Sequence, residues 1–429
     1  MLSCVIVVEN LPVPFDRRVW QEAQALRDAG WRVSVICPKS EKYPLEFEVI
    51  DGISVYRHAL PLEARGKLGF VVEYLSALFH ECRLLAKIAA GPGFDVIQVC
   101  NPPDLLFLNA LPYKLFGKRL VFDLHDLCPE LLEAKFGRRR LLHNLLLAAE
   151  KLTIKAASLV VCANDTYREV AIARGGKRPE DVVAVYSVPR SGFIRRVNPD
   201  PTLRRGARLI LGYVGVIGDQ DGVDHLVQMM RHLVKDLRRS DVRAVVVGDG
   251  PARQSASDLA DRLGLSDAVT FTGYLSGDEL MAALSAFDIG IIPDPVNPYN
   301  DKISMNKVFE YSALGVPAVA YALYETRRLL GSTARYATDA TPEGLARACL
   351  TLIDDDATRL ACGREAKALA DERFSWARER EKYVAAYARL ASAYALVPAL
   401  ASGRPMEFGA LDSRRSNVSG ARVTGGDVP

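Results

Sequence analysis

PRSGFIRRVNPDPTLRRG, residues 189–206, is the stretch on which the fold turns. It is rich in Pro, Gly and Arg and breaks the pattern on either side of it, which is how a linker reads. Before it, short and nearly continuous apolar runs fall at 3–8 (SCVIVV), 32–37 (RVSVIC), 95–99 (DVIQV), 119–123 (RLVFD), 158–162 (SLVVC) and 182–186 (VVAVY). After it the pattern restarts at 208–214 (RLILGYV), 242–247 (VRAVVV), 268–272 (AVTFT), 288–292 (DIGII) and 317–321 (PAVAY). Runs of this kind are strands covered on both faces. Helical patterns separate them, so each half predicts a parallel, doubly wound sheet. The expected fold is α/β, with two Rossmann-like domains at 1–195 and 207–375. Ligands of such sheets bind at the carboxyl ends of the strands, so the cleft between the domains is the expected site.

The helices expected in the first half are 17–29, 67–90, 104–116, 138–157 and 166–174. Asp16 is the expected N-cap of the first, and Gly30 ends it. A last amphipathic helix is expected at 376–396, and the Gly- and Ser-rich tail 400–429 reads as disordered. The hydrophobic share of 49% and charged share of 25% are those of a globular chain. A net charge of +3 gives no electrostatic reason to expect nucleic acid as a partner. The eight cysteines form no CxxC pair, which points to a reducing compartment without a disulfide framework or a zinc site. MLSCVIVVEN lacks a basic leader and reads as a first strand, and no apolar run is long enough for a membrane span. The expected location is cytoplasmic.

YNDKISMNKVFEYSALGVP (299–317) holds the densest chemistry. Asp301 or Ser304 is placed to cap a helix that Gly315 and Pro317 end. The first turn of such a helix offers free N–H groups and the positive end of the dipole to a diphosphate. Lys302, Asn306 and Glu310 are spaced by four, so they are expected to share one face, with Lys307 beside them. A base for phosphate and a carboxylate for ribose hydroxyls suit a nucleotide sugar. An ordinary surface helix with i,i+4 pairs would read the same.

The segment resembles the C-terminal site of glycosyltransferase family 4, a retaining family with the GT-B fold. Asn306, Lys307, Glu310, Tyr311, Ala313, Gly315 and Pro317 match its helix pattern. The resemblance implies that Glu310 is the second Glu of an E-x7-E motif and holds the donor ribose. The first Glu falls at 302, where this chain has Lys, and Asp294 or Asp301 is available as its substitute. VVVGDGP (245–251) and FTGYLSGDEL (271–280) resemble the loops that hold the nucleotide, with Gly248, Gly250, Gly273 and Tyr274 as donor-site positions. DRRVWQEAQALRDAGWRVSVICP (16–38), NPPD (101–104) and the FSW at 374–376 extend the resemblance over roughly residues 1–395.

FDLHDLCPE (122–130) resembles the family's cleft histidine segment, which implies that His125 lies near the donor sugar, where it can stabilise developing charge. Asp126 is placed to orient the imidazole or to cap the next helix. In GYVGVIGDQDGVDHL (212–226), Gly215 and Gly218 allow close backbone approach to phosphate. Family members often carry basic residues just beyond, whereas this chain has Asp219, Asp221 and Asp224. Carboxylates there repel a diphosphate unless they cap the helix or meet a sugar or cation. The G-x-QDGVD stretch resembles that of a polysaccharide-assembly branch of the family. Arg17 and Arg18 open a helix against its dipole and are expected to meet a ligand or to remain a solvated pair. Asn101 and Asp104 touch an acceptor or shape their turn. Leu stripes with Lys and Arg at 104–118 and 135–155, including Arg138, Arg139 and Arg140, suit a peripheral membrane contact or a core helix with a basic end.

The implied reaction is transfer of a sugar from a nucleotide diphosphate sugar to a glycan or lipid-linked acceptor, with retention, in surface polysaccharide synthesis at the inner membrane face. No cofactor and no metal are expected, since no DxD-like pair stands in a suitable context. A nucleotide-sugar 2-epimerase of the same fold, or a non-catalytic GT-B partner, are the alternatives.

Overall fold

The computed structural model describes residues 1–59, 67–137, 139–190 and 192–401. The tail beyond 401 and Arg138 of the basic run lie outside the described residues. The expected two α/β halves form. The first sheet contains β1 (Ser3–Val8), β2 (Arg32–Pro38), β3 (Phe47–Ile50), β4 (Ile53–His58), β5 (Val96–Cys100), β6 (Arg119–Leu124), β7 (Leu159–Cys162) and β8 (Val182–Ala184). Their spatial order is β3-β4-β2-β1-β5-β6-β7-β8. The second sheet contains β9 (Leu209–Val214), β10 (Val242–Val247), β11 (Val269–Gly273), β12 (Ile289–Ile292), β13 (Ala318–Ala320) and β14 (Ala334–Tyr336), in the order β11-β10-β9-β12-β13-β14.

The strand order reverses beside β1 and beside β9, the two first strands of the halves, and every pairing is parallel except β3 with β4. A crevice opens at such a reversal, at the carboxyl ends of the strands. β1 and β9 are buried along their whole length, as an apolar run flanked by strands on both sides must be. The hairpin β3–β4 and the short strand β14 are additions to the sequence reading.

The helices also depart from expectation in places. The stretch 104–116 divides into a short 3-10 turn, Asp104–Leu106, and a helix, Phe107–Leu115. The segment read as 138–157 is preceded by a separate helix, Cys128–Phe136, with Pro129 in its first turn, and the longer helix runs Arg140–Ala156. Asp16 caps Arg17–Asp28 as expected, accepting from the Val19 N–H at 3.0 Å.

The final helix, Trp376–Ala401, returns from the second half to pack on the first, against helix Arg17–Asp28 and strands β7 and β8. Tyr383 and Tyr387 are buried there and both donate to the side-chain oxygen of Gln98 on β5, Tyr383 at 2.7 Å. Seven of the eight cysteines are buried free thiols. Among the described residues no helix is long and apolar enough to cross a membrane.

Candidate active site

In the first half the site grows from the end of β6. RLVFDL is an apolar run interrupted by one carboxylate, Asp123, which is fully buried. A buried carboxylate needs partners. Arg18 supplies a fork, with Nη2 at 2.7 Å from Oδ1 and Nε at 3.3 Å from Oδ2. His125 Nε2 lies 2.6 Å from Oδ2. Burial alone would raise the Asp123 carboxyl, but Arg18 and His125 overcome it and hold it well below the usual carboxylate range. Arg18 also reaches the Val185 carbonyl at 2.6 Å and Glu22 at 3.2 Å. It is therefore an internal strut, not a solvated cation. Its neighbour Arg17 is half exposed and faces the other lobe.

Asp123, and not Asp126, orients the imidazole. Asp126 instead accepts a hydrogen bond from Tyr299 of the second half at 2.7 Å. Asn101 holds the turn that carries His125. Its side-chain oxygen accepts from the His125 N–H at 2.7 Å, while its amide donates to the Asp126 carbonyl at 2.6 Å and to Asp104 at 2.8 Å. Asn101 and Asp104 are both buried, and burial pushes the Asp104 carboxyl up to about 6. Of the two roles open to them in the sequence, the turn-shaping one is the one these contacts describe.

In the second half the helix Asn306–Leu314 presents the counterpart. Its anchor is Tyr311, whose hydroxyl bonds to the Gly212 carbonyl of β9 at 3.1 Å and the Ile291 carbonyl of β12 at 3.2 Å. This fixes Lys307 and Glu310 about one turn apart and facing the crevice beside β9. The N-cap is Met305, with no side-chain cap. Neither Asp301 nor Ser304 caps the helix. Asp301 accepts from the Tyr324 N–H at 2.8 Å and Ser304 donates to Glu325 at 3.1 Å. The first N–H groups of the helix are consequently left without a capping side chain, which suits an anion. Asn306 stands exposed at this end, and Gly315 closes the other.

Lys307 Nζ donates to both oxygens of Asp294, at 2.9 and 2.7 Å, and stands 4.7 Å from the centre of the Tyr213 ring. All three residues are buried. Burial raises the Asp294 carboxyl, and Lys307 opposes that rise. Asp221 is a further carboxyl coupled to Lys307. Its Oδ2 accepts the Gly218 N–H at 2.8 Å, so it closes its own turn, while Asp219 and Asp224 face solvent. Burial raises the Asp221 carboxyl to about 6, with Lys307 opposing. Because this folded value lies above the ordinary 3.8, the folded chain holds the proton more tightly. Stability contributed by Asp221 is then lost as pH rises from about 4 through 6. We predict that Asp221→Asn removes this loss and tightens binding of a nucleoside diphosphate above pH 7 by roughly tenfold, the size of one relieved like-charge contact near a surface. Titration calorimetry at pH 5 and pH 8 checks it; an unchanged affinity at pH 8 would sink the idea.

The glycine loops lie against each other. A side chain at Gly248 would meet the Gly215 carbonyl oxygen at 1.9 Å, and one at Gly250 the Ile217 carbonyl oxygen at 2.5 Å. The Ile217 N–H is bonded to the Asp249 carbonyl at 3.0 Å. The close approach that glycine permits is thus between the two loops, which together form one wall of the crevice. Gly273 ends β11 on the same wall, and Tyr274 follows it with its ring exposed. Arg253, which the sequence reading passed over, has its guanidinium 3.8 Å from where a Gly273 side chain would begin.

The two lobes meet across the cleft. Glu310 Oε1 accepts from Arg17 at 3.3 Å. Burial raises the Glu310 carboxyl, and Arg17 and Lys307 oppose it. Lys302 precedes the helix, so it does not share a face with Asn306 and Glu310. Its Nζ reaches Glu130 of the first lobe at 2.8 Å, where Arg174 also binds, and its carbonyl accepts from Asn164 at 2.9 Å. Glu325, fully buried, accepts from Thr166 and from the Tyr186 hydroxyl at 3.2 Å. Glu310 is thus tied to Arg17, and the next residue in the chain, Arg18, holds Asp123 and with it His125. The sequence reading missed Asp123, Tyr299 and Glu325. Only Asp123 carried a signal, a carboxylate inside an apolar strand.

Two family models match the chain: "Glycosyl transferase 4-like domain" over residues 16–187 and "Glycosyl transferases group 1" over 208–355. A 2-deoxystreptamine glucosyltransferase of Streptomyces kanamyceticus is 28% identical over 337 residues, 75% of this chain and 84% of that one. Among solved structures, sucrose-phosphate synthase from Thermosynechococcus elongatus superposes with a TM-score of 0.74 at 17% identity, covering 92% of this chain and all of that one, 100%. Anabaena HepE in complex with UDP-glucose gives 0.67 at 17% identity, over 91% of this chain and 100% of the other.

Proposed function

Given that the chain belongs to the GT-B glycosyltransferases, we propose that it moves a sugar from a nucleotide diphosphate donor, held by the second lobe, to a glycan or lipid-linked acceptor on the first, with retention. The observation that carries this reading is the Arg17–Glu310 bond between the lobes: it joins an uncapped helix end with Lys307 and Glu310 on one to the lobe in which Asp123 holds His125. The diphosphate takes the helix N–H groups and Lys307, and the ribose hydroxyls take Glu310. Glu310 releases Arg17 to do so, and Arg17 is then a free cation beside the donor. Tyr274 offers its exposed ring to the base.

In the reaction the bond between the anomeric carbon and the diphosphate oxygen breaks. The acceptor oxygen bonds to that carbon on the same face, and its proton passes to the leaving diphosphate. Lys307 and the helix dipole stabilise the charge on the leaving group. His125 contacts a sugar hydroxyl and the developing positive charge near the ring. The cross-cleft bonds of Tyr299 and Lys302 favour a closed arrangement that excludes water. The relative from Streptomyces kanamyceticus is named a glucosyltransferase, and we favour transfer over 2-epimerisation.

The test is a panel of nucleotide sugars with thermal shift and nucleotide release as readouts, with and without a lipid-linked acceptor. Donor-induced stabilisation together with acceptor-dependent nucleotide release is the expected result. Turnover to an epimer without acceptor would replace the reading.

A membrane-linked acceptor is supported by Leu105, Leu108 and Leu115 near Lys114, by Leu141 and Leu145 near Arg139 and Arg140, and by Leu152 near Lys151 and Lys155, all six leucines exposed. Lys114 bonds the Ala156 carbonyl, so the two elements are neighbours. Vesicles containing anionic lipid should sediment the chain, and Leu141→Asp with Leu145→Asp should release most of it. Equal sedimentation of both proteins would remove this part of the proposal.

A further inference from the structure

Away from the cleft chemistry, three buried side chains converge at the carboxyl edge of the first sheet. Glu9 follows β1, His58 ends β4, and Glu81 comes from helix Lys67–Ala90. All three are buried, and one ligand atom from each lies within 4.8 Å of the others. Their hydrogen bonding is incomplete in a telling way. His58 Nδ1 stands 3.1 Å from the Ala59 carbonyl, which can only accept, so Nδ1 carries the hydrogen and the neutral ring has its lone pair on Nε2. That lone pair faces Glu9 Oε2 at 3.4 Å, an atom with no hydrogen-bond partner of its own. Glu81 receives the Asn109 amide on Oε2 at 3.0 Å and leaves Oε1 unpartnered. Among the described residues neither carboxylate meets a lysine or arginine. With ring and carboxylates deprotonated, three lone pairs point toward one another inside the protein, an arrangement that repels itself unless a proton or a cation lies between.

We propose that Glu9, His58 and Glu81 bind a divalent metal ion of the zinc type. One imidazole and two carboxylates form a nitrogen and oxygen set suited to Zn²⁺. A tetrahedral ion with ligand bonds of about 2.1 Å keeps its ligand atoms about 3.4 Å apart, which is the separation already present between His58 and Glu9. The Nδ1–H to carbonyl bond fixes ring and tautomer as it does for metal-bound histidines generally. His80, stacked on His58 with ring centres 5.7 Å apart and Nδ1 unpartnered, flanks the site. The ion's place is structural. It would join the loop leaving β1 to β4 and to helix Lys67–Ala90, and that loop leads straight into Arg17 and Arg18. This departs from the sequence expectation of no metal, which rested on the lack of a CxxC pair and of a DxD-like pair in a suitable context. The second convergent group, Cys100 with Asp123 and His125, already has Arg18 as its cation.

The experiment uses the full chain, stripped with chelator and then given Zn²⁺, Mn²⁺ or Mg²⁺ alone. Zn²⁺ at a hundredfold excess over its dissociation constant should raise Tm by roughly 3 °C. Co²⁺ in its place should give visible d–d absorption without a thiolate charge-transfer band. Glu81→Gln, close to isosteric, should abolish both signals, as should His58→Gln. No Tm shift and no Co²⁺ spectrum in the parent chain overturns the proposal, whether or not the variants fold. So does a shift that survives Glu81→Gln, or a thiolate band, which would place the metal at Cys100. A metal-free Glu81→Gln more stable than the metal-loaded parent would mean that a shared proton, not a metal, joins the two carboxylates.

Discussion

Replacing Lys307 by methionine should lower acceptor-dependent nucleotide release by about 10²–10³-fold, the loss usual when one preorganised donor to a developing anion is removed. The side chain is buried on the Tyr213 ring and bound to both oxygens of Asp294, so its ammonium is held in position before any donor arrives. A group already in place needs no reorganisation when charge develops on the leaving diphosphate. The single variant leaves Asp294 buried without its cation, and breaking such a pair costs about 3–5 kcal/mol. The double variant Lys307→Met with Asp294→Asn removes both charges and should recover most of that stability, yet remain as inactive. Steady-state release assays and urea unfolding of the parent and both variants separate the two effects. Activity returning along with stability in the double variant would show that Lys307 only supports the fold.

Asp123→Asn is the second large effect expected. It removes the charge that Arg18 forks and that orients His125 through Nε2. Displacing a reacting group by about 1 Å costs on the order of 10²-fold in rate, so kcat should fall by about that factor while KM for the donor changes little. Arg18 keeps Glu22 at 3.2 Å, so the stability loss should fall near the lower end of about 3–5 kcal/mol. The acid limb reports the same carboxylate. The folded value is depressed below the ordinary 3.8, so its stabilisation is fully present above about pH 4 and is lost as pH falls toward the folded value. Parent and variant melting temperatures should therefore keep a constant gap down to about pH 4 and converge as pH falls below it. A gap that does not narrow there, or an unchanged kcat, would rule out the positioning role.

The fold was legible because buried parallel strands must be apolar throughout, and RLVFD or DIGII can be little else between helical patterns. The hairpin Phe47–Ile50 with Ile53–His58 was not read, because an edge strand such as FEVI alternates in exposure. Its signal was the Asp51–Gly52 pair, both residues with positive φ, the combination that a two-residue hairpin turn demands. In the candidate site, Lys307, Glu310 and His125 were singled out by the helix pattern and the family resemblance, and each sits at a strand end or helix start. The partners were not. Spacing by four suggested that Lys302 shared the helix with Glu310, but the helix begins at Asn306, and Lys302 spends its charge on Glu130 of the other lobe. Proximity in sequence suggested Asp126 for His125. Side chains alternate along a strand, so a residue two positions away shares the face that a near neighbour does not, and Asp123 takes the imidazole.

The return of the Trp376–Ala401 helix means that the backbone passes between lobes twice, and the two passages touch. Glu379 accepts the Tyr186 N–H at 2.9 Å, with Lys382 5.9 Å from the centre of the Tyr186 ring. Two adjacent crossings act like the paired leaves of a door hinge: they allow swing about one line and resist twisting and sliding. Opening for each round of turnover should follow a single arc, and a chain cut before residue 376 should lose that guidance even where both sheets still form.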